Sequence, residues 1–203
     1  MFKFFTVMFY ILLLLISVLC RAEQPLSSVD NVAIALERQT PLNQNVDLDG
    51  LVFASKKSFF NAFFIGGEFT FLEEEVGDSQ FTLTQQQVIL GYRYPVSTKF
   101  EMRLSIGGIR EELEHTSQNF NSKSDDASLQ VKLTGIYDVN FIHSLGSALH
   151  HYELYNIERY YLTLFYQFKL TRKWQIYSHL ELGYNTKVEH DINGYQLQLK
   201  YAF

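Results

Sequence analysis

His179, Leu180 and Glu181 place an imidazole and a carboxylate two positions apart. On a strand such positions share a face, so the carboxylate could orient the histidine as a general base, with Tyr177 beside it. The two-residue rule gathers a larger set as well. Glu68, Arg93, Glu101, Arg103, Lys132, Asp138, Lys169, Glu181 and Lys200 all occupy polar positions of alternating segments, which makes them candidates for one interior charge network. Charges taken out of water must pair, so the expected role of this set is structural. A third group, His143, His150, His151 and Glu153, has the residue types of metal ligands. Adjacent His150 and His151 would point apart on an extended chain, and the spacing matches no metal motif. It reads as a solvated loop, and neither a metal nor a cofactor is expected. The acidic runs Glu73-Glu74-Glu75 with Asp78, and Glu111-Glu112 with Glu114, read as solvated faces.

Strands must position these groups, because the hydrophobic pattern repeats every two residues. It is plainest in Tyr195–Phe203, where odd positions are apolar or aromatic and even positions polar or small. Segment 81–94 sets Val88, Leu90, Tyr92 and Tyr94 against Gln85, Gln87, Gly91 and Arg93. Segment 99–109 sets Phe100, Met102, Leu104 and Ile106 against Glu101, Arg103 and Ser105. Segments 129–139, 160–170 and 174–184 repeat the arrangement. Segment 59–72 puts Phe59, Phe63, Ile65, Phe69 and Phe71 on one face, but Phe60 and Phe64 blur the other.

One more strand must lie between Val139 and Tyr160. It is placed at about 141–149, with part of 150–161 helical. Short connections at 95–98, near Asn140 and at 171–173 alternate with longer polar ones at 73–80, 110–127, 150–159 and 185–193. Residues 23–57 admit two readings. Ser28–Arg38 has helical spacing through Val29, Val32, Ala33 and Leu36, whereas Val32–Glu37 and Val46–Ser55 would form an extra hairpin. The expected fold is therefore an all-β, antiparallel transmembrane β-barrel over 58–203, with eight strands favoured over ten.

The N-terminus carries an address. Lys3 precedes an apolar run from Phe4 to Leu19, and Cys20-Arg21-Ala22 leads into polar residues. This reads as a signal peptide over residues 1–22, removed after Ala22. Removal would take away the single cysteine, leaving no disulfide framework. It would also make a chain of formal charge −5 more acidic, which gives no electrostatic case for nucleic acid. After the signal no apolar run approaches the ~20 residues of a membrane helix. Hydrophobicity spread by alternation is instead the mark of a membrane barrel.

A final amphipathic strand ending in Tyr201-Ala202-Phe203, preceded by alternating strands and a signal peptide, resembles the small bacterial outer-membrane β-barrels of the OmpA/OmpX type. The resemblance implies a monomer in the bacterial outer membrane with a structural or surface-interaction role. Its partners would be outer-membrane lipids and lipopolysaccharide, near which the acidic runs could hold divalent cations. It also implies that Tyr201 and Phe203 form a signal read by the outer-membrane assembly machinery. A narrow channel is one alternative. Another is a lipid A-modifying esterase, since barrels that deacylate lipid A carry a His and a Ser two positions on in the penultimate strand. Here that second position is Glu181, and Ser178 faces the other way, so His179 and Glu181 are left without a nucleophile.

Overall fold

The computed structural model describes residues 30–40, 46–60, 62–118, 120–171, 173–185 and 192–203. The signal peptide and the cleavage point expected from the sequence lie outside them. Ten strands follow in chain order: β1 Asn31–Gln39, β2 Leu48–Phe59, β3 Phe63–Val76, β4 Ser79–Pro95, β5 Phe100–Ser117, β6 Phe120–Asp138, β7 His143–Leu154, β8 Ile157–Lys169, β9 Trp174–Asn185 and β10 Ile192–Ala202. Each pairs antiparallel with its sequence neighbours, and β1 closes the barrel against β10 with Asn31 opposite Ala202 and Gln39 opposite Gly194. The barrel has ten strands, not the favoured eight. The helix expected over 28–38 is strand β1 from Asn31 onward. Periodicity could not separate the two readings, because Val32 and Leu36 fit both a helix and a strand. Pairing decides it: β1 is laddered along its length to both β10 and β2, so the ring closes with ten strands.

A second correction concerns the middle of the chain. The strand placed at about 141–149 runs on to Leu154, and no helix follows it. Asn140 Oδ1 accepts from the backbone of Ile142 at 2.8 Å and His143 at 2.9 Å, which starts β7 cleanly. The expected loop 150–159 is a hairpin with two turn residues, Tyr155 and Asn156, at φ 56° and 57°. Positive φ at both positions matches the right-handed twist of the flanking strands. The loops expected at 73–80 and 110–127 are likewise mostly strand, turning at 77–78 and after Ser117. Short connections stand where expected, at 96–99, 139–142 and 170–173, and one more joins β2 to β3 through Phe60 at φ 48°. That end is called proximal, and the other distal.

The outward face of the proximal two-thirds is an apolar belt on all ten strands. Val88, Leu90, Ile106 and Leu129 are 60%, 49%, 54% and 73% exposed, whereas inward Gln130 is 1% exposed. Soluble monomers rarely leave so large an apolar patch uncovered. Aromatics crowd the proximal rim, where Trp174 meets Tyr201 edge-on at 4.9 Å and Phe63 meets Tyr92 at 5.0 Å. Phe64, ambiguous in sequence, points inward and is buried. It fits because position 91 is glycine: a Cβ there would stand 2.2 Å from the Phe64 ring. Gly146 makes the same room for Phe165, with a Cβ placed at 2.1 Å.

Beyond the belt the alternation inverts. On β3 the outward series passes from Phe71 to Glu73, and the inward series from Thr70 to Leu72. On β5 it inverts after Gly107-Gly108, with Ile109 and Glu111 inside and Arg110 and Glu112 outside. β2 pairs with β3 only as far as Glu73, and β7 pairs with β6 only from Gln130. The distal parts of β3 to β6 therefore project as a four-stranded ribbon.

Candidate functional site: the barrel lumen

Ten strands enclose more space than eight. The lumen holds a cavity of about 200 Å³, bordered by Glu37, Lys56, Glu68, Lys132, Glu181 and Lys200 among others. Strand parity alone aims these side chains inward, since each lies an even number of residues from another inward position on its strand.

At the proximal side of the cavity Glu101 bridges two arginines. Arg93 Nη2 donates to its carboxylate at 2.6 Å and Arg93 Nε at 3.2 Å, and Arg103 Nε donates to the same group. The Arg93 side chain is 3% exposed. Nearer the mouth, Ser144 Oγ donates to Asp138 at 2.5 Å, with Lys169 Nζ 4.0 Å away. Both members of that pair reach solvent, so Asp138 and Lys169 belong to the mouth and not to the interior network.

The middle layer is arranged differently. Gln196 donates to Glu37 at 3.0 Å, Gln87 to Glu68 at 3.5 Å and Thr163 to Glu181 at 3.4 Å. Lys200 Nζ sits 3.6 Å from the centre of the Tyr177 ring, and Lys56 Nζ 4.7 Å from that of Phe64. Among the described residues no ion pair within 4.0 Å joins these carboxylates to Lys56, Lys132 or Lys200. The sequence reading expected all the interior charges to pair. Pairing is confined to Glu101 with its two arginines and to a pair that reading did not include.

That pair closes the distal side. Arg159 Nη1 and Nη2 donate to Glu111 at 3.1 and 3.2 Å, and Gln85 Nε2 adds a bond at 3.3 Å. Both charged side chains are buried, at 5% and 6% exposure. The guanidinium lies over Tyr152 and Tyr155 at 5.7 and 5.8 Å. Ile109, Tyr152, Leu154 and Tyr161 form one apolar cluster here, and Leu48, Leu72 and Leu83 another. Glu111, expected on a solvated face with Glu112 and Glu114, is buried instead. Its neighbours do face out, where Lys123 reaches Glu112 at 2.6 Å and Arg110 reaches Asp125 at 2.6 Å, holding that carboxyl below its usual range. Continuing the parity of Glu101, Arg103 and Ser105 through the glycines would have turned Glu111 inward.

The catalytic pair does not assemble. His179 packs edge-on against Tyr177 at 5.7 Å, while Glu181 is held by Thr163. The histidine group is dispersed. His143 meets Tyr166 at the proximal rim, His150 bonds Gln130 in the lumen, and His151 lies outside against Tyr160. His150 and His151 do point apart, as the extended chain requires.

The structure is similar to the NanC porin, with a TM-score of 0.52 and 8% identity over 85% of this chain and 100% of that one. It is also similar to the translocator domain of the autotransporter NalP from Neisseria meningitidis, at 0.51 and 6% identity, covering 92% of each chain. The fold is that of the outer-membrane β-barrels. Ail, the attachment invasion locus protein of Yersinia pestis, gives a TM-score of 0.48 at 12% identity, over 87% of this chain and 97% of that one. No protein-family model matches the chain, and no curated protein matches it.

Proposed function

We propose that this chain is an integral barrel of the bacterial outer membrane with a structural or surface-interaction role. The observation that carries the reading is the inversion of polarity along one continuous set of strands. Apolar side chains face out over the proximal two-thirds, and charged ones face out beyond. Only a change of surroundings, from lipid to water, rewards both halves. The proximal end then faces the periplasm, and the ribbon of β3 to β6, which extends beyond the apolar belt, stands above the outer leaflet among lipopolysaccharide. Phe203 lies at the proximal rim, where its N–H donates to Asp30 O at 3.2 Å and Lys57 Nζ lies 5.4 Å from its ring centre. It is 58% exposed at that rim.

The buried Glu111–Arg159 pair and the two apolar clusters obstruct the distal lumen, which favours a surface role over a channel. An esterase lacks an assembled nucleophile and base among the described residues. The test is fractionation with heat modification. The chain should sediment with the outer membrane, and unboiled protein should migrate differently from boiled protein in a detergent gel. Recovery from the soluble periplasm as one heat-independent band would overturn the location. Steady large conductance in a planar bilayer would overturn the closed lumen.

A further inference from the structure

Every connection at the proximal end presents an exposed apolar side chain. Phe60, between β2 and β3, and Phe141, between β6 and β7, are 85% and 83% exposed. Val96 and Leu170 stand exposed on the other two connections, and Phe203 does so at the end of β10. These positions recur every two strands around the closed ring, so the apolar tips lie all round the rim. Bare in water, such a set is unfavourable. A partner docked on one side would cover one or two of the tips. Surroundings that encircle the barrel cover all of them, and the layer just past the apolar belt does so.

Charge at this end is unbalanced. Lys57, Arg93, Lys99, Arg103, Lys169 and Lys173 stand against the side-chain carboxylates of Asp30, Glu101 and Asp138. Those carboxylates are already taken, by Lys57, by the two arginines, and by Ser144 with Lys169. Among the described residues no ion pair within 4.0 Å takes up Lys99 or Lys173. Both lysines are exposed. Lys173 lies along the outer rim, where its Nζ donates to the Tyr201 hydroxyl at 3.4 Å and sits 5.7 Å from the centre of that ring. Lys57 flanks the same stretch, over Phe203. The distal end has the opposite sign, with Glu73, Glu75, Glu153 and Glu158 exposed on its outer face.

We propose that the proximal rim selects anionic phospholipids from the leaflet around it. The apolar tips enter the interfacial layer, where aromatic rings are favoured, and Lys99 and Lys173 bind headgroup phosphates. A zwitterionic headgroup brings its own ammonium to its phosphate, whereas an anionic one leaves that phosphate to the protein. The inference rests on the membrane reading above and adds which lipid is preferred and at which end.

Trp174 is the single tryptophan of the chain and is exposed on the outer face beside Lys173, so its fluorescence samples the lipids at this rim. The full barrel is refolded into phosphatidylcholine vesicles carrying a minor share of one doxyl-labelled lipid, either phosphatidylglycerol or phosphatidylcholine. Quenching of Trp174 should show phosphatidylglycerol associating about fivefold more strongly, the preference of one lysine for an anionic surface. Lys173→Gln, still showing the heat-dependent gel shift, should bring that ratio towards unity. Molar salt should do the same, because it screens such contacts. Equal quenching by the two labels would overturn the proposal, as would a ratio that salt leaves unchanged. So would an unaltered ratio in a folded Lys173→Gln barrel. Quenching by neither label would overturn the membrane reading as well, so the two failures are distinguishable. If Lys173→Gln does not fold, the salt dependence of the unaltered protein still decides it.

Discussion

The belt and the distal ribbon are made from the same strands and obey opposite rules. In the belt Leu90 and Leu133 face out, and Gln130 and Ser105 face in. In the ribbon Leu72 and Leu83 are buried inside, while Glu73 and Glu75 face out. Backbone geometry is identical in the two, since each is a two-residue alternation in an antiparallel ladder. The comparison shows that "inside" is not fixed by the fold. The less polar surroundings take the apolar face, and on the function proposed above those surroundings in the belt are lipid. The interior of the belt is therefore free to be polar, and the ribbon has to supply a core of its own.

The largest expected effect comes from the charge buried in that core. Arg159→Met leaves Glu111 unpaired and should cost roughly 3–5 kcal/mol, read from urea unfolding of the refolded barrel. The double variant Glu111→Met with Arg159→Met should recover most of that loss. If the single variant is neutral, water reaches this region and the ribbon is no core.

A cavity comparison is nearly as strong. Leu72→Ala should cost about 2–5 kcal/mol, because the space it leaves stays empty. Leu90→Ala should cost less, since lipid or detergent tails flow into the gap and no cavity remains. Equal losses would break the distinction between the halves.

Polarity can be inverted directly. Leu133→Arg, at mid-belt, should cost about 2–4 kcal/mol in lipid vesicles. Glu75→Arg, exposed on the ribbon, should stay within about 0.5 kcal/mol. The reverse order would place the lipid around the wrong half.

The smallest effect on the folded state concerns the proximal rim. Deleting Phe203 removes at most ~1.5–3 kcal/mol of apolar burial, and less here because the ring is more than half exposed. Levels in the outer membrane of cells should nevertheless fall, while purified protein still refolds in detergent. Normal cellular levels would argue against an assembly role for the terminal residue. Nearby, Lys57 at 2.6 Å and the Ser58 N–H hold the Asp30 carboxyl below its usual range. A folded-state value below the unfolded one stabilises above the ordinary carboxylate pKa, and the gain is lost as pH falls through the lowered value. Asp30→Asn should therefore flatten the acid limb of the unfolding profile only slightly.

Much of this could be read from residue types in order. The outward sets Val88–Tyr94, Phe100–Ile106, Leu129–Tyr137 and Tyr195–Phe203 stand where alternation put them. So do inward Arg93, Glu101, Arg103, Lys132, His179, Glu181 and Lys200. Alternation is a property of one strand and its two surroundings, which a local pattern records. What the pattern could not settle was set by partners distant in sequence. β1 has a spacing that fits helix and strand alike, and it is its pairing with both β10 and β2 that makes it a strand. β7 reaches Leu154 because β8 pairs along it. Glu111 left the acidic run for the lumen because Arg159, forty-eight residues away, came to meet it. Which interior charges pair follows from barrel width and from how neighbouring strands align. Those are properties of ten closed strands and of no single one, so only the tertiary structure decided them.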